Sequence, residues 1–156
     1  GRPDVFERVK PLLACMGKTI TRVGDSGAGQ VTKACNQLAL LVTAQGVAEA
    51  LHLAQRLGVD PAKVREVMLG GVPAGRVLEI FGKRMVAHEF DNGIDTRLYH
   101  KDLGIVLDLA HQAQVPVPGA ALVMQQINAL MSQGKGSHDL GALITVLEGM
   151  SGPTKT

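Results

Sequence analysis

Tryptophan is missing from the 156 residues, and aromatic residues of every kind amount to 3%. A core with so few large rings must be filled by smaller side chains. Ala and Leu dominate the chain; both favour helices, so closely packed helices are expected. Cysteine is nearly absent: Cys15 and Cys35 are the two that occur. They form no disulfide framework and show no CxxC or metal-ligand spacing, which suits reduced thiols in a cytosolic protein. Neither sign of charge is in excess. The net charge of +2 comes with no basic cluster interleaved with aromatics, which argues against a nucleic-acid partner. The five histidines (His52, His88, His100, His111, His138) follow neither HxxxH nor HExxH spacing, so no metal site is expected. The most apolar run, Leu38 to Val42, is far shorter than the ~20 residues of a membrane span. Nothing resembles a signal peptide. The expectation is a cytoplasmic protein without a membrane partner.

What the chain does contain is 46% hydrophobic and 19% charged residues, the balance of a folded core. The length suits one domain, or one domain with a fragment of another. Pro3 followed by Val5, Phe6, Val9, Leu12 and Leu13 predicts a helix to about Cys15. Lys18 to Val23 alternates like a strand, and a lone strand cannot form a sheet. From Gln30 to Leu57 the sequence is apolar on nearly every side, which predicts a helix of ~42 Å buried all round. Gly46 is placed to kink that helix or to admit a close crossing. Gly58 ends it, and Asp60-Pro61 starts the next, which runs to about Leu69. Further helices are expected near Arg76 to Ala87, Leu98 to Gln114, Gly119 to Ser132 and Leu140 to Leu147. A frayed tail is expected from Gly149.

The chemistry concentrates in Gly24-Asp25-Ser26-Gly27-Ala28-Gly29-Gln30-Val31-Thr32-Lys33-Ala34-Cys35-Asn36-Gln37. Glycines permit tight turning and close approach to a ligand. Lys33 and Gln37 share a helix face at i and i+4, with Asn36 beside them. A lysine flanked by neutral donors can hold and protonate an oxygen. Its apolar neighbours predict a half-buried helix start, where the dipole opposes its charge and makes it a better acid. The plain alternative is a surface lysine. The glycine order is GxxGxG rather than GxGxxG, and Glu49 lies mid-helix with no second strand, so a dinucleotide phosphate loop is rejected. Lys101-Asp102, read on composition alone, is an ordinary pair at a helix start.

The glycine–lysine stretch resembles the GxxGxGxxxKxxN-N/Q signature of the β-hydroxyacid dehydrogenases. His100-Lys101-Asp102-Leu103 resembles that family's second lysine motif. The resemblance covers nearly the whole chain. It implies a mainly α fold, the all-helical domain of the 6-phosphogluconate dehydrogenase C-terminal type with a long central helix. Residues 1–24 would be the last helix and strand of a Rossmann domain that binds NAD or NADP. Residues 25–150 would be the catalytic and dimerisation domain, and 151–156 a disordered tail. By the resemblance Lys33 is the general acid/base. Asn36 and Gln37 orient substrate oxygens, Gly27 and Gly29 let the backbone approach the substrate, and Lys101 reaches the cofactor. Gln37 resembles the branch that reduces tartronate semialdehyde, and the chain alone would be inactive. A homodimer or homotetramer is expected. Alternatives are a 3-hydroxyisobutyrate or succinic semialdehyde type of dehydrogenase, a non-catalytic helical oligomerisation module, and an independent small-molecule binding domain.

Overall fold

Local chemistry sets the helix boundaries. The Asp60 carboxylate accepts a 2.9 Å bond from the Ala62 amide, and Pro61 fills the first helical position, where no amide is needed. Asp139 repeats the device by accepting from Gly141 N at 2.9 Å. The computed structural model describes residues 1–152. Its helices are α1 (Pro3–Ala14), α2 (Ala28–Arg56), α3 (Pro61–Leu69), α4 (Lys83–Ala87), α5 (Thr96–Gln112), α6 (Pro118–Ser132) and α7 (Leu143–Ser151). A π-helical turn, Leu78–Gly82, runs into α4, and a 3-10 turn, Leu140–Ala142, runs into α7. The fold is mainly α.

The expected strand at 18–23 does not form. A strand is held by a neighbour's ladder groups, and no strand exists among the described residues to supply them. The chain divides into two compact units, Gly1–Asn36 and the remainder from Gln37. In the first, α1 buries no residue, and Phe6, Leu13 and Ile20 are only half-buried. Thirty-six residues are too few to close a core.

The second unit holds the core. Leu41, Ala44, Ala48 and Leu51 of α2 are completely buried, at the 3-4-3 spacing of one helix stripe. Leu103 and Val106 on α5, Val123, Ile127 and Leu130 on α6, and Leu140 and Leu143 complete it. α5 packs on α6, and α6 on α7. Gly119 brings α6 so near α2 that an added Cβ would lie 3.2 Å from Val42 Cγ2.

Several expectations are corrected here. α2 is not buried all round, since Leu53 is 60% exposed; only the 3-4 stripe finds partners. Gly46 is exposed with open space around it, and α2 passes it without a break. The run Leu38–Val42 understated this helix: over its 29 residues α2 is long and apolar enough to cross a membrane by length and composition. Its apolar stripe serves here as core. α5 stops at Gln112 because Gln114 turns into the left-handed region (φ 55°), which lets Val115 N bond Ala110 O at 2.9 Å. The last helix does not fray at Gly149. Arg56 donates to Gly152 O at 2.9 Å, and His52 Nε2 lies 2.8 Å from Ser151 Oγ, so the end of α2 holds the end of α7. Of the tail expected to be disordered, residues 153–156 lie outside the described residues.

Candidate active site

The glycine stretch forms a bend that launches α2. Ala28 N donates to Asp25 O at 3.1 Å, and Gln30 N to Gly27 O at 2.9 Å. Gly27 sits at φ 93°, where a side chain is strained. Gly29 differs: it is in the first turn of α2, and a Cβ there would meet nothing within 4 Å. Arg22 pairs with Asp25 at 2.7 Å and fixes the approach to the bend.

Lys33 and Asn36 follow on the opening turns of α2, and both are exposed. The expected half-burial of this helix start is therefore wrong for the chain: Val31 beside it is 55% exposed. A first unit without a closed core has no apolar surface to lay over these turns.

Four residues beyond Lys33 the environment changes. Gln37 is buried at 4% exposure. Its Nε2 donates to Asp102 Oδ2 at 2.6 Å, across 65 positions of sequence. The other carboxylate oxygen, Asp102 Oδ1, lies 2.9 Å from Lys101 Nζ. Asp102 thus joins the amide of the first motif to the ammonium of the second. The sequence reading made Asp102 part of a helix-start pair. In fact α5 begins at Thr96, so Lys101 and Asp102 lie in its second turn, and no motif spacing signals their link to Gln37. A carboxylate shared by an amide donor and a cation, mostly shielded from water, makes bonds stronger than neutral ones.

The start of α5 is fixed firmly. Thr96 N and Oγ1 both donate to His138 O, at 2.9 and 2.8 Å. One turn on, Tyr99 meets Phe81 edge to face, with ring centroids 6.4 Å apart. Nearby, Arg84 pairs with the fully buried Asp139 at 2.6 Å and donates to Asn92 O at 3.0 Å. These anchors set the position from which Lys101 projects, 65% exposed.

Residues 27–147 match a family model described as "NAD-binding of NADP-dependent 3-hydroxyisobutyrate dehydrogenase". The chain belongs to this family. The relatives it matches are named as dehydrogenases and reductases. It is 38% identical to the 2-hydroxy-3-oxopropionate reductase of Escherichia coli over 97% of this chain and 52% of that one. It is 34% identical to the 3-hydroxyisobutyrate dehydrogenase of Pseudomonas aeruginosa over 89% of this chain and 49% of that one. The crystal structure of a 3-hydroxyisobutyrate dehydrogenase from Salmonella typhimurium superposes with a TM-score of 0.87 at 27% identity, covering 94% of this chain and 52% of that one. The chain therefore spans about half the length of the curated relatives it matches.

Proposed function

We propose that this chain is the lysine-bearing half of an NAD(P)-dependent reductase of short carboxylate semialdehydes, of the tartronate semialdehyde type. The observation that carries the reading is the Gln37–Asp102–Lys101 link, which ties the two family motifs together through one carboxylate. The similarity to the E. coli reductase favours that substrate branch. The family model's own description keeps a 3-hydroxyisobutyrate type of substrate as the second reading.

In this reading Lys33 is the acid/base. Its ammonium gives a proton to the carbonyl oxygen as the carbon is reduced; in the oxidation direction the free amine takes the proton back. Asn36 supplies an amide for the substrate's oxygens; the buried Gln37, whose Nε2 already donates to Asp102, offers them only the second N–H of that amide; and the bend at Gly27 and Gly29 admits the substrate close to the backbone. NAD(P), when bound, supplies or accepts the hydride. The described residues fit it at one point: Lys101 is a mostly exposed ammonium held by Asp102, suited to a phosphate or ribose oxygen. The glycine bend is not a phosphate loop, so most of the cofactor's contacts belong to the rest of a longer protein, and this chain alone turns over no substrate.

Assembly as a homodimer or homotetramer belongs to the same reading. Leu53, Leu57, Ile105 and Leu122 are all roughly half or more exposed, and a subunit interface that covered them would take apolar surface out of water. Two exposed free thiols, Cys15 and Cys35, suit a reducing, cytoplasmic setting.

The test uses the chain extended to its relatives' length, supplied with NADH or NADPH and tartronate, succinate and methylmalonate semialdehydes. Tartronate semialdehyde should give the highest kcat/KM. A higher value with methylmalonate semialdehyde would move the protein to the 3-hydroxyisobutyrate type, and no turnover with any of them would reject the reductase.

A further inference from the structure

The loop between α4 and α5 is fastened at both ends. Asp139 N donates to Phe90 O at 2.7 Å, and Thr96 N donates to His138 O at 2.9 Å. Between these ties lie Asp91, Asn92 and Gly93, all exposed. Asn92 is the one asparagine in the chain followed by glycine; Asn36 precedes Gln37, and Asn128 precedes Ala129. Those two lie inside α2 and α6, where the following amide belongs to the helix ladder.

An asparagine side chain is open to attack by the amide nitrogen of the next residue, which closes a succinimide ring. The reaction needs that N–H free of a hydrogen bond, an unhindered neighbour, a side-chain amide free to turn, and water. Asn92 meets each condition. Among the described residues the Gly93 N–H donates to no acceptor, and the Asn92 side-chain amide has no partner. Gly93 has no side chain to block the approach. Arg84 adds a push: its Nη2 donates at 3.0 Å to Asn92 O, the carbonyl of the same peptide whose N–H must be lost. A positive charge there favours the deprotonated peptide.

The products fit this loop poorly. Gly93 lies so near Asp139 that an added Cβ would be 2.2 Å from Oδ2. Asp139 itself is fully buried and relies on Arg84, 2.6 Å away, to offset its charge.

We infer that Asn92-Gly93 is a site of spontaneous modification in the folded protein. The Gly93 nitrogen bonds to Asn92 Cγ, its proton passes through solvent to the departing Nδ2, and ammonia leaves. Water then opens the succinimide at the side-chain carbonyl carbon, giving aspartate, or at the main-chain carbonyl carbon, giving isoaspartate. The net change exchanges an amide for a carboxyl, with water consumed and ammonia released. Isoaspartate carries the main chain through Cβ and Cγ, so the loop lengthens where Gly93 has no room to shift. The new carboxylate draws on the same cation as Asp139. The modified loop therefore comes away from Asp139. None of Lys33, Asn36 or Lys101 takes part, so the inference stands whether or not the reductase reading does.

The test incubates the 156-residue chain at mildly alkaline pH and maps it by mass spectrometry, with a peptide of residues 88–97 as reference. Conversion is expected at Asn92, at a rate proportional to hydroxide. It should be slower by ~100-fold or more at Asn36 and Asn128, whose helices must open first. Urea well below the unfolding transition should leave the Asn92 rate unchanged. Asn92→Gln, which would have to close a larger ring, should show no conversion over the same time. Aged wild type, enriched in isoaspartate, should melt several degrees below fresh protein, whereas Asn92→Gln aged alike should not. The inference is overturned if Asn92 stays intact while the peptide reacts, or if Asn128 converts as fast. A rate that climbs with urea as the unfolded population does, or aged wild type that melts like fresh, would overturn it equally. The mapping and the urea series need no variant, so they decide even if Asn92→Gln folds poorly.

Discussion

Gln37 Nε2 and Asp102 Oδ2 stand 2.6 Å apart although 65 positions separate them in the chain. The bond joins the end of the glycine–lysine stretch to the second lysine motif, and Lys101 completes it at 2.9 Å. Two motifs that are each weak alone become one feature of the fold.

Asp102→Ala removes the carboxylate that accepts from the buried Gln37 amide. The expected loss is about 2 kcal/mol, read by urea denaturation, because hydrogen bonds to charged groups are worth ~1.5–3 kcal/mol. Asp102→Asn keeps an acceptor and should lose less. In a Gln37→Leu background most of the Asp102→Ala cost should vanish. An equal cost in both backgrounds would show that the pair is not coupled.

Arg84→Met strands the fully buried Asp139 carboxylate. Removing one partner of a buried pair costs ~3–5 kcal/mol, so Tm should fall by roughly 6–20 °C for a chain this size. Arg84→Met with Asp139→Asn should recover part of it. A Tm within 2 °C of wild type would contradict the burial.

The glycines separate cleanly. Gly93→Ala drives a methyl into Asp139 and should destabilise by about 2 kcal/mol or more. Gly29→Ala meets open space in a helix and should stabilise by ~0.5–1 kcal/mol. In the extended chain, however, the same Gly29→Ala should raise KM if the backbone there approaches substrate. Stability and KM moving in these two directions is the signature to look for.

Tyr99 makes a prediction at high pH. Burial, and secondarily Asp139, raises its pKa above the ordinary 10.0. The folded state thus binds the phenolic proton more tightly than the unfolded chain does. The resulting stability is complete below pH 10 and is lost as pH rises from there through the folded pKa. The drop in Tm above pH 10 should be shallower for Tyr99→Phe than for wild type; parallel curves would remove this role.

Helix boundaries were legible wherever they depend on neighbours in sequence. Asp60-Pro61, Gly58 and the Asp139 cap each act within a few residues, and α1, α2 and α3 lie where their patterns place them. What sequence did not show depends on distant parts. The run 18–23 alternates like a strand but has no ladder to join. Lys33 has apolar neighbours but no surface to bury against. Asp102 looked like a helix-start residue because its partner is on α2. At Gly82, the end of the π turn, an added Cβ would lie 3.0 Å from Leu78 Cδ1 and 3.4 Å from Arg65 Cδ, and the distant Arg65 is a neighbour that helical spacing does not reveal.

The central claim is that Lys33 carries the proton, and Lys33→Ala tests it most directly in the extended chain. Lys33 is exposed, so stability should stay within ~0.5 kcal/mol of wild type. Single-turnover reduction at saturating NAD(P)H should slow by ~100-fold or more, the range of a lost general acid. A rate within a few-fold of wild type, in a folded variant, would contradict the account.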